Sequence, residues 1–349
     1  MSRRLLNFAA LLLLAACAPA LAGCAARATP RPLVRFDGAA VSQLHFPAGQ
    51  DQFVLPLTLR GAVLVTDAVT VNGRSAGWFV VDTGASWTVL DRQTARQVGL
   101  TAREPWAPID KAHKPDGLYR VDRLAVGDLA LSNHVVGVLD FSSLASTPGV
   151  RIAGSLGGDV WGGLPFTIDY KKRELVIHRR ETFRPPPAAP VHAIRVSRRP
   201  AAGPFAAANP SAGQPVVPAV IDGVRTSVVL DTGSDGSLAI LPPFAKAHPQ
   251  FTDGGNPTTR RVVGAGGPGM AGLMLKRAKV GHVDALGARC FCEGTAWVVG
   301  GEWDDGGGYG AILGARFLQH GRLTFDYATR RLWTEWQPDP EAVRPRAGR

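Results

Sequence analysis

Trp78-Phe79-Val80-Val81-Asp82-Thr83-Gly84-Ala85-Ser86 sets a carboxylic acid at the end of an apolar run and follows it with a turn. The chain writes the pattern again at Ser227-Val228-Val229-Leu230-Asp231-Thr232-Gly233-Ser234. Each stretch follows a β-branched run and a turn dipeptide: Ala68-Val69-Thr70-Val71 with Asn72-Gly73, and Pro218-Ala219-Val220-Ile221 with Asp222-Gly223. Asn-Gly and Asp-Gly between such runs signal tight β-hairpins, because both central turn residues must take positive φ. The repeat continues downstream, where Leu156-Gly157 precedes Ile168-Asp169-Tyr170 and Ile312-Leu313-Gly314 precedes Phe325-Asp326-Tyr327. Glycine and aspartate are 12 residues apart in both copies (157 to 169, 314 to 326). The offset between copies is 149 at the aspartates (82 to 231) and 157 at the glycines (157 to 314), so the second copy holds eight extra residues in its middle. A fixed spacing at one end and a loop-sized difference in the middle mark a duplicated unit.

Working outward, each D-T-G is followed by a short helix candidate. Asp91 is placed to cap a helix over 92–98 that Gly99 stops, and Pro242-Pro243 opens one over 244–248. Leu124 to Leu131 reads as a hairpin turning at Gly127, and Ala278 to Val283 stands for it in the second copy. Arg179 to Pro204, with Pro185-Pro186-Pro187, reads as the linker between the copies. The predicted fold is mostly β, with two lobes related by a pseudo-twofold axis and only short helices.

The duplicated aspartates point to acid–base chemistry. A lone carboxylate behind three or four apolar residues is costly to bury unless it is paired or neutralised. Thr-Gly after each Asp lets backbone approach the carboxylate closely. If the copies meet about a pseudo-twofold axis, the two carboxylates come together and share a proton, because both cannot ionise at contact. One then serves as general base on a water while the other polarises a carbonyl. A lone Asp at a strand end can simply cap a turn, but two copies in repeat register argue against that.

D-T-G-A-S at 82–86, D-T-G-S at 231–234 and I-L-G at 312–314 resemble the aspartic proteases, in particular the bacterial retropepsin-like group in a single-chain, two-lobed form similar to pepsin. The resemblance covers about residues 55–336. It implies Asp82 and Asp231 as the catalytic pair, with the shared-proton logic that the handling of such dyads in this family illustrates. It implies that Thr83 and Thr232 cross-link the active-site loops through hydroxyl-to-backbone bonds and that Gly84 and Gly233 let those loops pass the carboxylates. Ser234 matches a hydroxyl that bonds a catalytic carboxylate, and its first-copy counterpart is Ala85, so the lobes are chemically unequal. Leu156-Gly157 and Leu313-Gly314 match segments packed beneath the loops, with Ser155 in place of the usual apolar residue. A flap hairpin is also implied, with Trp106 to Val121 (Tyr119 within it) and Val262 to Gly272 as candidates. No cofactor and no metal are implied. The expected partner is an extended peptide bound by strand-like hydrogen bonding in the cleft between lobes. The alternative is an envelope protein that keeps the fold and clamps peptides without turnover. Each chain supplies both aspartates, so a monomer suffices.

The N-terminus reads as an address. Arg3 and Arg4 precede the apolar run Leu5 to Ala16, which is too short and too soon followed by Pro19 to favour a stable span. Leu21-Ala22-Gly23-Cys24 resembles a bacterial lipobox, and Leu14-Ala15-Ala16-Cys17 is the alternative. Residues 1–23 are then a lipoprotein-type signal peptide, 24–52 a tether, 53–180 the first lobe, 181–204 the linker, 205–338 the second lobe and 339–349 a basic tail. This implies a cell-envelope protein held on the membrane by a lipid, with simple secretion or a periplasmic location as the alternative.

The rest of the composition mainly excludes. With 45% hydrophobic and 19% charged residues the chain is not disordered. Cys290 and Cys292, two residues apart, are poorly spaced for a disulfide and are read as two small packed thiols. Gly264-Ala265-Gly266-Gly267-Pro268-Gly269 fits G-x-G-x-x-G, but Pro268 and the lack of a following helical pattern speak against a dinucleotide site. No H-E-x-x-H or G-x-S-x-G occurs. The net charge of +11 comes with no nucleic-acid motif, and the basic stretch Lys171 to Arg199 reads as a solvated linker, with attraction to anionic envelope material such as lipopolysaccharide as the alternative.

Overall fold

The computed structural model describes residues 42–100, 117–139, 141, 151–197, 213–252, 260–261, 274–292, 295–299 and 308–336. Both hairpins read from the turn dipeptides form. Strands Val63–Val71 and Arg74–Val81 join through Asn72 and Gly73 at φ 49 and 77, and strands Gln214–Ile221 and Val224–Asp231 through Asp222 and Gly223 at φ 41 and 86. Two successive residues at positive φ are what a type I′ turn requires, and its twist matches that of the strands.

Each hairpin then meets a crossing strand. In the first lobe strand Ile152–Leu156 runs parallel to Arg74–Val81 (Val81 opposite Leu156) and antiparallel to Val89–Asp91. In the second, strand Ala311–Gly314 runs parallel to Val224–Asp231 (Asp231 opposite Gly314) and antiparallel to Leu238–Ile240. Both crossing strands are buried along their whole length, as strands covered on both faces must be. The D-T-G turn of each copy thus straddles the end of a fully buried strand. These strands belong to an eight-stranded sheet in the first lobe and a ten-stranded sheet in the second.

A six-stranded sheet joins the lobes, in the order Val191–Ala193, Arg331–Trp336, Gly321–Asp326, Phe166–Asp169, Glu174–His178, Gln52–Pro56. At its centre Thr167 pairs with Thr324, its own copy at the 157-residue offset, and the two Oγ1 atoms are 2.8 Å apart. A residue opposite its own repeat marks a twofold axis, so the pseudo-symmetry passes between these threonines. Phe166 stacks on Phe325 beside it with centroids 5.0 Å apart. One core runs from Phe53 and Phe79 to Leu313 and Leu332 without a break between lobes.

The helices form where read. Asp91 caps helix Arg92–Gln97, accepting from Gln93 N–H at 3.0 Å, and Gly99 ends it at φ 80. Pro242 opens helix Pro242–Ala247. Three readings need correction. The second-lobe hairpin equivalent to the turn at Gly127 is His282–Ala285 with Ala288–Phe291, turning at Leu286-Gly287, beyond the stretch Ala278 to Val283 that was read for it. The linker carries strands: Val191–Ala193 pairs with Arg331–Trp336, and Arg195–Ser197 with Gln214–Ile221. The tether's end is likewise folded in, with Gln43–His45 on strand Leu129–Leu139. These pieces are three residues long and mostly exposed, too short for an alternating pattern to register in sequence. Part of the basic stretch is structural as well, since Arg180 grips Asp326 with nitrogens at 3.0 and 3.3 Å.

Cys290 and Cys292 are free thiols, the second fully buried. Residues 1–41, including Cys17 and Cys24, and the tail 337–349 lie outside the described residues, as do 264–269. Among the described residues no helix is long and apolar enough to cross a membrane.

Candidate active site

The two D-T-G turns meet where the lobes join. Asp82, 3% exposed, takes its position from its own N–H, which donates to Leu156 O at 3.1 Å on the crossing strand. Asp231 ends its strand opposite Gly314. The carboxyl groups of Asp82 and Asp231 are in hydrogen-bonding contact. A Cβ on Gly84 would collide with the Asp231 carboxylate, and one on Gly233 with that of Asp82. Each glycine therefore makes room for the opposite lobe's acid, and no larger residue fits either place.

Two threonines lock the turns together. Thr83 Oγ1 donates to Leu230 O at 2.7 Å and Thr232 Oγ1 to Val81 O at 2.6 Å. Each hydroxyl also accepts the other threonine's N–H, at 3.0 and 3.2 Å. Both threonines are fully buried, so these four bonds replace water contacts that the turns could not otherwise make.

Burial pushes both carboxyls up from the ordinary carboxylate range. Asp231 is raised further, since the charge on Asp82 adds to its burial. Asp82 is partly held back by hydrogen bonds from Ser155 and Asp231 and from the Ala85 and Gly84 N–H groups. The pair can therefore share one proton, and the Ser155 hydroxyl and Ala85 N–H that donate to Asp82, both at 2.9 Å, favour Asp82 as its ionised member. Burial, with the charges of the acids above, also raises the phenols of Tyr170 and Tyr327, which stay neutral. Their hydroxyls are buried without a hydrogen-bond partner among the described residues.

The sequence-read site residues fall as follows. Asp82, Thr83, Gly84, Thr232, Gly233 and Asp231 come together as described. Ala85 donates its N–H to Asp82 Oδ1 at 2.9 Å. The Ser234 hydroxyl was expected on Asp231, but that carboxylate takes the Gly233 N–H at 2.8 Å instead, while Ser234 N–H donates to the Asp231 main-chain carbonyl at 3.3 Å. Tyr119 lies in strand Gly117–Val126 opposite Val136 and packs against the core. The remainder of the first flap candidate (106–116), and all of 262–272, fall outside the described residues. Among the described residues, no three His, Cys, Asp or Glu side chains cluster as metal ligands.

Several contacts at the site escaped the sequence reading, among them the one made by Ser155, which was read only as a polar replacement beneath the loops. Ser155 Oγ donates to Asp82 Oδ2 at 2.9 Å. Gln214 Nε2 reaches Gly84 O from the second lobe, while its Oε1 accepts the Tyr309 hydroxyl at 3.3 Å. Beneath the first turn, Asp159 accepts from Thr88 N–H (2.9 Å) and Oγ1 (2.8 Å) and contacts His134 Nε2 at 3.1 Å; His134 Nδ1 in turn meets Ser42 Oγ at 2.9 Å. Asp159 N–H and Gly158 N–H bond the carbonyls of Ser86 and Ala85, so this network braces the turn. Only His134 of this network lies in a strand, Asp159 stands in the helix Gly158–Trp161, and no motif in the sequence marks either.

Compared with known proteins, residues 68–160 match the family model described as aspartyl protease. No curated protein matches the chain. Among solved structures the chain is similar to the aspartic proteinase of Irpex lacteus, at 13% identity and TM-score 0.44, covering 84% of this chain and 99% of that one. It is also similar to the basic 7S globulin of soybean, at 10% identity and TM-score 0.41, covering 82% and 95%. A retropepsin-like aspartic protease from Rickettsia conorii matches at 18% identity and TM-score 0.25, over 39% of this chain and 91% of that one.

Proposed function

We propose that this protein, whose first lobe carries the aspartyl protease family segment and whose fold is two duplicated β lobes, is an aspartic endopeptidase. The reading rests on one observation: a buried carboxyl, Asp82, and a partly buried one, Asp231, in mutual contact, each seated against the other lobe's glycine. Mutual repulsion and burial make such a pair costly, and the pair has a use only where a proton must move.

The steps follow from where the proton sits. Asp82, ionised, takes a proton from a water as its oxygen forms a bond to the carbonyl carbon of an extended peptide. Asp231, protonated, hydrogen-bonds the carbonyl oxygen and gives up its proton as that oxygen gains charge. The proton on Asp82 then passes to the amide nitrogen, the C–N bond breaks, and the tetrahedral carbon collapses to an acid. The Asp231 proton is recovered from the hydroxyl in that collapse, so the pair ends with the single proton it began with.

Mass-spectrometric profiling of a peptide mixture from about pH 3 to about pH 8 tests this. Asp82→Asn and Asp231→Asn should each lower cleavage by at least about 10²-fold with the melting temperature kept or raised, since each removes a buried acid. Retained cleavage in either variant overturns the dyad. A parent chain that binds peptides and cleaves none at any pH points to a peptide clamp instead. The N-terminal address extends the proposal to an enzyme anchored in the cell envelope by lipid on Cys24, or on Cys17. Replacing the lipidated cysteine with serine should release the chain from membrane fractions, and retention of both Cys24→Ser and Cys17→Ser would rule the anchor out.

A further inference from the structure

The lobes differ at the two positions from which a side chain can bring a hydroxyl to a carboxylate. The first lobe has Ala85 three residues after Asp82 and Ser155 two before Gly157; the second has Ser234 three after Asp231 and Ile312 two before Gly314. Hydroxyl and apolar side chains have changed places between equivalent positions. The result is unequal solvation of the two acids. Asp82 receives the fully buried Ser155 hydroxyl on Oδ2 and the Ala85 N–H on Oδ1, both at 2.9 Å. The Asp231 carboxylate receives the main-chain N–H of Gly233 at 2.8 Å and no side-chain hydroxyl among the described residues.

The Ser155 hydroxyl is also held differently from one in a loop. Ser155 lies in strand Ile152–Leu156, opposite Val80 on one side and Val89 on the other, so the sheet itself fixes its position. A hydroxyl donating to a carboxylate in a dry site stabilises the ionised form, and no solvent competes for it there.

We propose that Ser155 is a positioning residue that keeps Asp82 as the ionised, water-activating member of the pair and leaves the single proton on Asp231. This rests on the dyad reading above.

The test uses the full chain. Ser155→Ala should move the acid limb of the kcat/KM profile upward by about 1 to 2 pH units, the worth of one hydrogen bond to a charged group, and lower kcat more than it changes KM. Ser155→Cys, similar in volume but a far weaker donor, should move it the same way, which covers the case of an alanine variant that folds poorly. Ser155→Ala combined with Ala85→Ser, which returns a hydroxyl from the turn, should bring the limb back toward the parent. Carboxyl ¹³C titration of the pair by NMR reads the same change without turnover, so it remains informative if the chain cleaves nothing. A profile and titration unchanged in both single variants, while Asp82→Asn is inactive, overturn the role of Ser155 and leave the dyad standing. Activity in Asp82→Asn fails the dyad itself.

Discussion

Thr83 and Thr232 each spend one hydroxyl on two bonds across the lobe boundary, so neither turn is positioned without the other. Thr83→Val keeps the shape but strands Leu230 O and Thr232 N–H in a dry site. An unsatisfied buried group costs about 1–3 kcal/mol, so the melting temperature should fall by several degrees. Because the four bonds form one closed set, Thr83→Val/Thr232→Val should cost less than the sum of the single variants. Calorimetry on the double-mutant cycle checks this, and strict additivity would show that the bonds act separately. The threonines and aspartates were legible in sequence because they recur in register behind apolar runs. Ser155 was not: it showed only as a polar residue in an apolar strand, and its partner lies 73 positions away. Gln214 carries no motif at all, and only the folded chain brings it to Gly84.

At the scale of elements, legibility followed turn chemistry. Asn72-Gly73 and Asp222-Gly223 announced their hairpins because those residues tolerate positive φ. The turn at Leu286-Gly287 went unread because a leucine occupies the first such position, at φ 55. Leucine carries no turn signal, so the stretch Ala278 to Val283 was read in its place. Helix Arg92–Gln97 was legible from its cap, although Asp91 also does a second job that no helix rule foretells. Its Oδ1 accepts Phe141 N–H at 3.0 Å and its carboxylate pairs with Arg151, tying the helix start to the strand that leads into Ser155. The short strands of the linker and tether carry too few residues for a period to appear. Their pairing is set by long-range contacts, which a local pattern does not contain.

The whole molecule is held by the six-stranded sheet through which the pseudo-twofold axis passes, and its pH response follows from the groups placed there. His178, in strand Glu174–His178, meets Thr167 Oγ1 at 3.0 Å beside the axis and packs against the tilted Phe183 ring with centroids 5.1 Å apart. Burial, with the charge of Arg322 nearby, lowers its imidazole to about 4. In the unfolded chain a histidine titrates near about 6.5. Between those values the unfolded state binds a proton that the folded state refuses, so stability falls as pH drops from about 6.5 to about 4 and levels off below. The dyad works the other way. Asp82 and Asp231 are raised in the folded state, so their burial penalty is relieved as pH falls through their folded values. Acid therefore favours the protonated pair while it weakens the sheet that brings the lobes together. His178→Gln removes only the second effect. Its melting temperature should track the parent's above about pH 7 and exceed it increasingly toward pH 4. Thermal melts of both chains across that range decide the matter, and a constant difference between them would mean that His178 does not set the acid limit of the joined lobes.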